Sequence, residues 1–372
     1  MVLHIFAGLA GLVKVRVSHT DTDSHVFRLH YRLTSTILFL ACLLVAATEY
    51  IGQPIQCTSN GAPVDPPINT FCWISSTFTI NTTTGLGNHE AAGAEKTYHA
   101  YYQWVPFILF IQGCMFYLPH LFWKAVERKT VDTLLQGLDY YTMDPDQEKK
   151  KENIIKYLKS SEGQNGKYSL IYHLFEGLNF VNVIGQIFIL NDFFGGAFLK
   201  FGTEVVDYAI DDSKEDPFRI IFPKVTKCTF NKYGPSGNIE HLQPLCILPQ
   251  NILNEKVFVI LWFWFIILAT ITGMQLVYRL VVCYSPFARV RLLEQRGKLM
   301  VNDNMQRAIQ RLHLGDFFLL DILGRNLDGA IFKDIMTATL NSYEPEPKPE
   351  PNAGLYPPLP SPVEAIEFDR IN

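Results

Sequence analysis

Four long apolar segments are the feature that most restricts how this chain folds. They cover residues 33–51, 101–123, 172–201 and 257–282. Each is close to the roughly 20 residues that a helix needs to cross about 30 Å of hydrocarbon. Inside a bilayer the backbone polar groups must bond to one another, and a helix satisfies them within one segment. The sequence therefore predicts an all-α membrane protein with four transmembrane helices.

The third apolar segment is interrupted by polar side chains, and a soluble amphipathic helix would look similar. These side chains are Glu176, Asn179, Asn182, Gln186, Asn191 and Asp192. The charge distribution favours a span, because residues 1–32, 124–171 and 283–372 then share one side and carry most of the 32 Lys and Arg residues. Basic loops lie on the cytoplasmic side of membranes. We therefore expect a plasma-membrane protein with both termini and the loop 124–171 inside the cell.

The seven cysteines divide between the polar loops and the apolar segments. Four fall in the two outer loops, residues 52–100 and 202–256: Cys57, Cys72, Cys228 and Cys246. Disulfides persist outside the cell, so these loops are expected to contain them, and four cysteines allow three connectivities. The remaining cysteines lie within or beside apolar segments, where a thiol usually packs as a small hydrophobe: Cys42, Cys114 and Cys283.

The regions outside the spans differ in composition. The N-terminal segment, residues 1–32, is longer than the charged region that starts a cleaved signal peptide. We therefore expect the first span to stay in the mature protein. The loop 52–100 is rich in turn-forming residues, which predicts irregular or β-like structure. It also contains a potential glycosylation site at Asn81, in the sequence Asn-Thr-Thr.

The two inner regions have different expected structures. The loop 124–171 mixes charges of both signs with apolar residues, a pattern typical of a solvated amphipathic helix. Residues 283–342 have apolar residues at helical spacing and predict a small helical cytoplasmic domain. The tail 343–372 is rich in proline and is expected to be disordered. Its Pro357–Pro360 sequence, PPLP, is either a ligand for WW or SH3 modules or part of a plain terminus.

Six motifs, in order along the chain, carry a family resemblance. The second span begins with YYQWV, formed by Tyr101, Tyr102, Gln103, Trp104 and Val105. The others are VFRLHY (26–31), YIGQPIQC (50–57), FCWISSTF (71–78), KCTFNKYGPSG with CILPQNILNEKVF (227–237 and 246–258), and GDFFLLDILGRNLD (315–328). The chain thereby resembles the innexins, the invertebrate gap-junction subunits, over nearly all of its length except the tail.

The resemblance implies an assembly and a function. An innexin-like subunit would join others, of its own or other innexin kinds, in an octameric ring within the lipid bilayer. Two rings of adjacent cells would dock and pass ions and small metabolites. The outer loops would supply the docking surface, and the resemblance favours pairing Cys57 with Cys246 and Cys72 with Cys228. Two bonds within the loops remain the alternative.

The resemblance also implies which residues line the pore. The N-terminal segment would fold into the channel mouth, which makes these residues candidates: Met1, His4, Ile5, Gly8 and Leu12. The alternative is a helix lying on the membrane surface. Glu49, at the outer end of the first span, is either part of a charged ring that selects cations or a carboxylate reaching the interface. His120, near the inner end of the second span, is a hypothesis for closure by acid.

Other classes of function fit less of the sequence. An undocked channel that releases small molecules, as in the related pannexins, would share the same topology. A claudin-like four-span adhesion protein would also use paired loop cysteines. No metalloprotease, phosphate-loop or nucleophile motif occurs, so we expect neither an enzyme nor a cofactor or metal site. Nothing in the sequence points to nucleic acid.

Overall fold

A computed structural model of the protein describes residues 20–59, 61–80, 96–128, 130–135, 138, 145–211, 216–234, 236–297 and 303–341. The chain forms two compact units. The first contains the described residues up to Thr133 together with Lys167–Tyr284. The second contains Leu134–Gly166 together with the described residues from Ser285 onward.

Helices predominate, with short strands in the two loops. The first half of the chain contains α1 (His25–Tyr50), β1 (Gln56–Ser59), β2 (Ala62–Pro63), α2 (Pro66–Ser75), β3 (Thr77–Ile80), β4 (Lys96–His99), α3 (Tyr101–Glu127), α4 (Thr130–Leu135), α5 (Pro145–Ser160) and α6 (Gly166–Phe193). The second half contains α7 (Phe198–Ile210), α8 (Pro217–Ile221), β5 (Val225–Lys227), β6 (Phe230–Tyr233), β7 (Ile239–Leu242), β8 (Leu245–Ile247), α9 (Pro249–Tyr284), α10 (Pro286–Gly297), α11 (Asp303–Arg311), α12 (Leu314–Asn326) and α13 (Gly329–Asn341).

Helices α1, α3, α6 and α9 are long and apolar enough to cross a membrane. Their inner faces pack into one core, which includes Leu38, Val45, Leu109, Phe116, Val183, Leu190, Phe258 and Phe265. Their outer faces expose large apolar side chains, including Leu40, Leu44, Ile111, Phe188, Ile260 and Ile267. A soluble protein would bury such side chains, so these faces suit contact with lipid or with neighbouring subunits.

The third apolar segment, predicted over residues 172–201, is not one continuous helix. Helix α6 ends at Phe193, and Gly195 and Gly196 follow with φ of 64° and 91°. Glycine adopts this left-handed backbone without a side-chain clash and commonly ends helices. The chain then turns into α7, where the ring of Phe201 packs against Phe222 and that of Phe198 against Phe258. The apolar run continues past the end of the helix because it also supplies an aromatic core.

Strands from both polar loops form one six-stranded sheet. Its strand order is β2-β1-β8-β5-β3-β4, and all of its recorded pairs are antiparallel. Strands β1 to β4 come from the first loop, whereas β5 and β8 come from the second and lie between β1 and β3. Strands β6 and β7 form a separate hairpin. We call the sheet, the hairpin and helices α2, α7 and α8 the loop domain.

The second unit is helical and contains the GDFFLL motif. Asp316 accepts hydrogen bonds from the Gly163 backbone N–H and the Asn165 side chain, both at 2.8 Å. A Cβ at Gly315 would lie 2.3 Å from the carbonyl carbon of Asn165. The glycine therefore permits a close backbone approach, and the aspartate holds the turn before α6 against α12.

Candidate docking and conduction site

Two disulfides join the two loops. Cys57 on β1 bonds to Cys246 directly opposite on β8, and Cys72 on α2 bonds to Cys228, which follows β5. All four residues are buried. The intraloop alternative does not occur. Each bond crosslinks residues more than 150 positions apart, with separations of 189 and 156, so it restricts the unfolded chain strongly.

The loop cysteines do not form a metal site. The sulfur atoms of Cys57, Cys72 and Cys246 lie within 4.8 Å of one another, a spacing that a metal site would also show. The two disulfides explain this closeness, and a sulfur in a disulfide is not the thiolate that binds zinc. The cluster is therefore a packed covalent core of the loop domain.

The YYQWV motif joins the loop domain to helix α3. Tyr102 is fully buried against Trp73, with ring centroids 4.5 Å apart, and packs with the disulfide cluster. Gln103 donates to the backbone carbonyls of Trp73 and Ile74 at 2.5 and 3.2 Å. Thus two residues of the motif fix the end of α2 onto the start of the second span.

The remaining motif residues have separate roles. Tyr101 packs against Phe194 and Phe222 in the aromatic core below the sheet. Val105 is buried in the bundle core, whereas Trp104 is 61% exposed and contacts Phe107. An exposed tryptophan at a span end suits the membrane interface. The sequence analysis gave the motif only as a family feature at the start of the second span and missed its role as a joint.

A second joint lies at the start of helix α9. Gln250 donates to the Val45 carbonyl at 3.1 Å and accepts from the Thr48 hydroxyl at 2.5 Å, which ties α9 to α1. Asn251 donates to the Pro223 carbonyl at 2.8 Å. The signal in the sequence was a cluster of polar residues at the start of an otherwise apolar helix, and we did not use it.

A buried carboxylate completes this joint. Glu255 has a side chain only 3% exposed, and both of its oxygens lie 2.8 Å from lysine ammonium groups. These belong to Lys224, just before β5, and Lys256 on α9. A buried charge needs such partners to offset its desolvation. The loop domain is thus tied to the bundle through α3 and through α9.

The polar residues of the third span contact other helices. Glu176 on α6 accepts two hydrogen bonds from Arg279 on α9, at 3.0 and 3.2 Å, and both side chains are buried. Asn182 donates to the Met115 carbonyl on α3 at 3.4 Å and accepts from Gln186 at 3.2 Å. The sequence analysis noted Glu176, Asn182 and Gln186 as polar residues in the third apolar segment but missed Arg279, a cation in the fourth.

A family model for the innexins matches residues 23–343 of the chain. The chain belongs to the innexin family. Among curated relatives it is similar to innexin inx3 of Drosophila melanogaster, with 41% identity over 90% of this chain and 89% of that protein. It is 40% identical to innexin shaking-B of Drosophila melanogaster, over 91% of this chain and 94% of that protein. For innexin inx2 of Schistocerca americana the identity is 39%, over 91% and 98%.

Innexins form gap-junction channels, so the outermost surface of this innexin's loop domain is of interest. The rings of Phe230 in the hairpin and Phe71 of α2 pack edge to face, with their centroids 5.1 Å apart. One face of the hairpin therefore lies against α2. Tyr233 and Ile239 lie opposite each other on the other face and are 78% and 58% exposed. Side chains alternate between the faces of a strand, so this face is available to a partner.

Some of the candidate pore residues of this innexin lie outside the described residues. These are Met1, His4, Ile5, Gly8 and Leu12, and the same holds for the sequon at Asn81 and for Pro357–Pro360. Glu49 is described: it lies on the last turn of α1, partly exposed, and one of its carboxylate oxygens is buried without a hydrogen-bond partner in the described part of the chain. Its role as a charged ring or an interfacial carboxylate stays a prediction.

Proposed function

We propose that this innexin forms an octameric ring in the plasma membrane, alone or with other innexins, and that two rings dock between adjacent cells. The observation that carries the proposal is the disulfide-linked loop domain. One sheet built from both loops, joined to two span helices, is a rigid platform that can meet an opposing copy. Rigid surfaces lose little conformational entropy on binding.

The conduction path lies between subunits in this proposal. The four span helices share a packed apolar core, so we expect conduction to run between subunits and not through one of them. A ring must therefore enclose the pore, and in this proposal the residues before position 20 enter its mouth, with Met1 to Leu12 narrowing it. Ions and small metabolites pass, and Glu49 contributes to cation preference. No enzymatic activity is proposed for this chain.

The proposal places both termini and the second, helical unit in the cytoplasm. The basis is the excess of Lys and Arg in residues 1–32, 124–171 and 283–372. The disulfide-linked loops then face the oxidising exterior. The Pro357–Pro360 motif would be accessible to a cytoplasmic WW or SH3 module.

Recording from paired cells that express this subunit alone tests the proposal. Current that passes between the cells supports docked channels. Current from a single cell to the medium, without coupling, favours an undocked channel. Adhesion of the cells without either current favours a claudin-like role and contradicts conduction. Cells that express the subunit in only one partner provide the control for docking.

A further inference from the structure

Two exposed lysines share one buried carboxylate beside the start of the fourth span. The ammonium groups of Lys224 and Lys256 each lie 2.8 Å from a different oxygen of Glu255. The lysine side chains are 45% and 67% exposed. In the described part of the chain neither ammonium has a second oxygen partner, although an ammonium group can donate three hydrogen bonds. Both therefore have donors left for a group from outside the subunit.

An aromatic ring holds both ammonium groups in addition to the carboxylate. The Phe218 ring centroid lies 6.0 Å from the Lys224 nitrogen and 5.7 Å from the Lys256 nitrogen. The face of an aromatic ring attracts cations. The two lysines thus converge on the same carboxylate and the same ring, which places their free donors side by side.

The charges of this cluster do not balance. Two lysines and Glu255 leave an excess of one positive charge. The neighbouring charges on the chain next to Phe218 are Asp216, which accepts from the Phe218 N–H at 2.9 Å, and Arg219, which is exposed. These two have opposite signs and leave the excess unchanged. An anion with a single negative charge would complete the cluster.

The cluster lies at the depth of the membrane interface. Phe258, two residues after Lys256, stacks on Phe222, and Phe222 packs against Tyr101 at the start of α3. Exposed Trp104 lies one turn into the same segment, and aromatic residues of this kind gather at membrane interfaces. Two helical residues span about 3 Å, so Lys256 lies at the level of the lipid headgroups, on the side of the loop domain.

An apolar stripe continues from Lys256 into the membrane. Ile260 and Ile267 follow it by four and eleven residues and are 61% and 49% exposed. Such spacings place side chains on one face of a helix. At this depth an exposed apolar face suits acyl chains. The surface therefore offers cations at headgroup level and apolar side chains below them.

We propose that Lys224 and Lys256 bind the phosphate of a phospholipid in the leaflet beside the loop domain. The phosphodiester carries the single negative charge that the cluster lacks, and an acyl chain lies along Ile260 and Ile267. Glu255 and Phe218 position the two lysines and do not contact the lipid phosphate. This inference does not depend on docking or conduction, so it stands or falls separately from the proposed function.

Native mass spectrometry of the full-length protein in detergent, titrated with phosphatidylglycerol, tests the site. Lys256→Gln and Lys224→Gln should each weaken lipid binding about fivefold, because each removes one cation from the headgroup level. Lys256→Arg keeps the charge and should retain most of the binding. Lys232→Gln makes the same charge change on the exposed hairpin and should bind as the wild type does. Equal binding in the Lys232 variant and both lysine-to-glutamine variants of the cluster would overturn the inference.

Glu255→Gln separates lipid binding from the stability of the cluster. It disrupts the same ion pairs as Lys256→Gln, so both variants should have lower melting temperatures than the wild type. Their lipid affinities should change in opposite directions, since Glu255→Gln removes a negative charge and leaves both cations. A loss of binding in Glu255→Gln as large as in Lys256→Gln would show that only the folding of the cluster matters, and would contradict a lysine–phosphate contact.

Ile260→Gln covers the case in which the lysine variants do not fold. It leaves Glu255 and both lysines in place and should weaken lipid binding severalfold, because it adds a polar group where the acyl chain lies. Wild-type lipid affinity in this variant would contradict the apolar half of the site.

Two further outcomes identify a different occupant. Inorganic phosphate at millimolar concentration should not displace the lipid, because it has no acyl chain. Displacement would indicate a site for free phosphate and reject the lipid. If Lys256→Gln changed the number of subunits in the assembly and left lipid binding unaltered, this surface would be a contact between subunits, and the inference would be wrong.

Discussion

At some positions of this innexin, the close approach of other parts of the chain determines which residue fits. Gly315 is the clearest case, because its neighbours are backbone atoms of Asn165 and Gly166 that cannot move aside as a side chain would. At Gly202 a Cβ would lie 2.1 Å from the ring of Trp262. Both glycines are needed for packing and not for a left-handed backbone, since neither has a positive φ.

Gly315→Ala should destabilise the contact between α12 and the turn at Asn165 by about 1 to 3 kcal/mol, because the added methyl overlaps backbone atoms. Hydrogen exchange of α12 in the detergent-purified protein measures the loss. Gly166→Ala is the matched control, since a Cβ there meets no atom within 4 Å and should change stability by less than about 0.5 kcal/mol. Equal exchange in the two variants would contradict the role of Gly315.

His99 should make the loop domain sensitive to acid. Burial lowers the pKa of its imidazole, which bonds to the Thr79 hydroxyl at 2.9 Å. The unfolded chain then binds more protons than the folded one below a pH of about 6.5, so stability falls as the pH decreases from there and levels off below the native pKa.

Thermal unfolding at a series of pH values measures this loss. His99→Gln should flatten the profile between about pH 6.5 and the native pKa, because glutamine does not titrate. His241→Gln, on the exposed hairpin, makes the same substitution outside this contact and is the control for the change of side chain. An unchanged profile in His99→Gln would show that other groups cause the acid sensitivity.

At the scale of elements, a buried ion pair connects the third span to the fourth. Glu176 and Arg279 connect α6 to α9, and Arg279 also lies over the Tyr172 ring at 5.6 Å. Removal of one member of a buried pair takes a charged partner from the other, so Glu176→Gln should cost about 3 to 5 kcal/mol. Thermal unfolding in detergent provides the measurement.

The matched control removes both charges. Glu176→Leu combined with Arg279→Met should regain most of the lost stability, because apolar side chains of similar size need no partner. If the double variant were as unstable as Glu176→Gln, the cost would come from packing and not from the unpaired charge.

The hairpin β6–β7 is the element that we expect to meet the opposing ring. Tyr233→Ser together with Ile239→Ser removes the two exposed apolar side chains of its outer face and should abolish current between paired cells. Current from single cells to the medium should persist, since the bundle is unchanged. Ile210→Ser, which alters an 80% exposed residue of α7 in the same loop, should leave coupling intact. Normal coupling in the double variant would move the docking surface elsewhere.

At the scale of the whole molecule, the disulfides make two distant loops behave as one domain. Replacing Cys57 and Cys246 together by serine should lower stability by about 2 to 4 kcal/mol and reduce coupling. Cys114→Ser, outside both disulfides, is the control. Peptide mapping without reduction should recover Cys57 linked to Cys246, and a peptide joining Cys57 to Cys72 would contradict the structure.

Much of the architecture could be predicted from local sequence. Hydrophobicity over about 20 residues indicates a span wherever it occurs, and the distribution of Lys and Arg indicates sidedness without reference to contacts. Cysteines in polar loops indicate disulfides in the same way. The pairing of those cysteines did not follow from spacing, and only the family resemblance favoured one connectivity.

By itself the sequence determined the four membrane helices, the two cysteine-containing loops and the family. Only the tertiary structure revealed the Glu176–Arg279 pair and the hydrogen bond of Gln250 to Val45. The physical reason is range: apolarity acts along contiguous residues, whereas these two contacts join positions 103 and 205 residues apart. No local sequence pattern predicts which distant residue will pair with a buried charge.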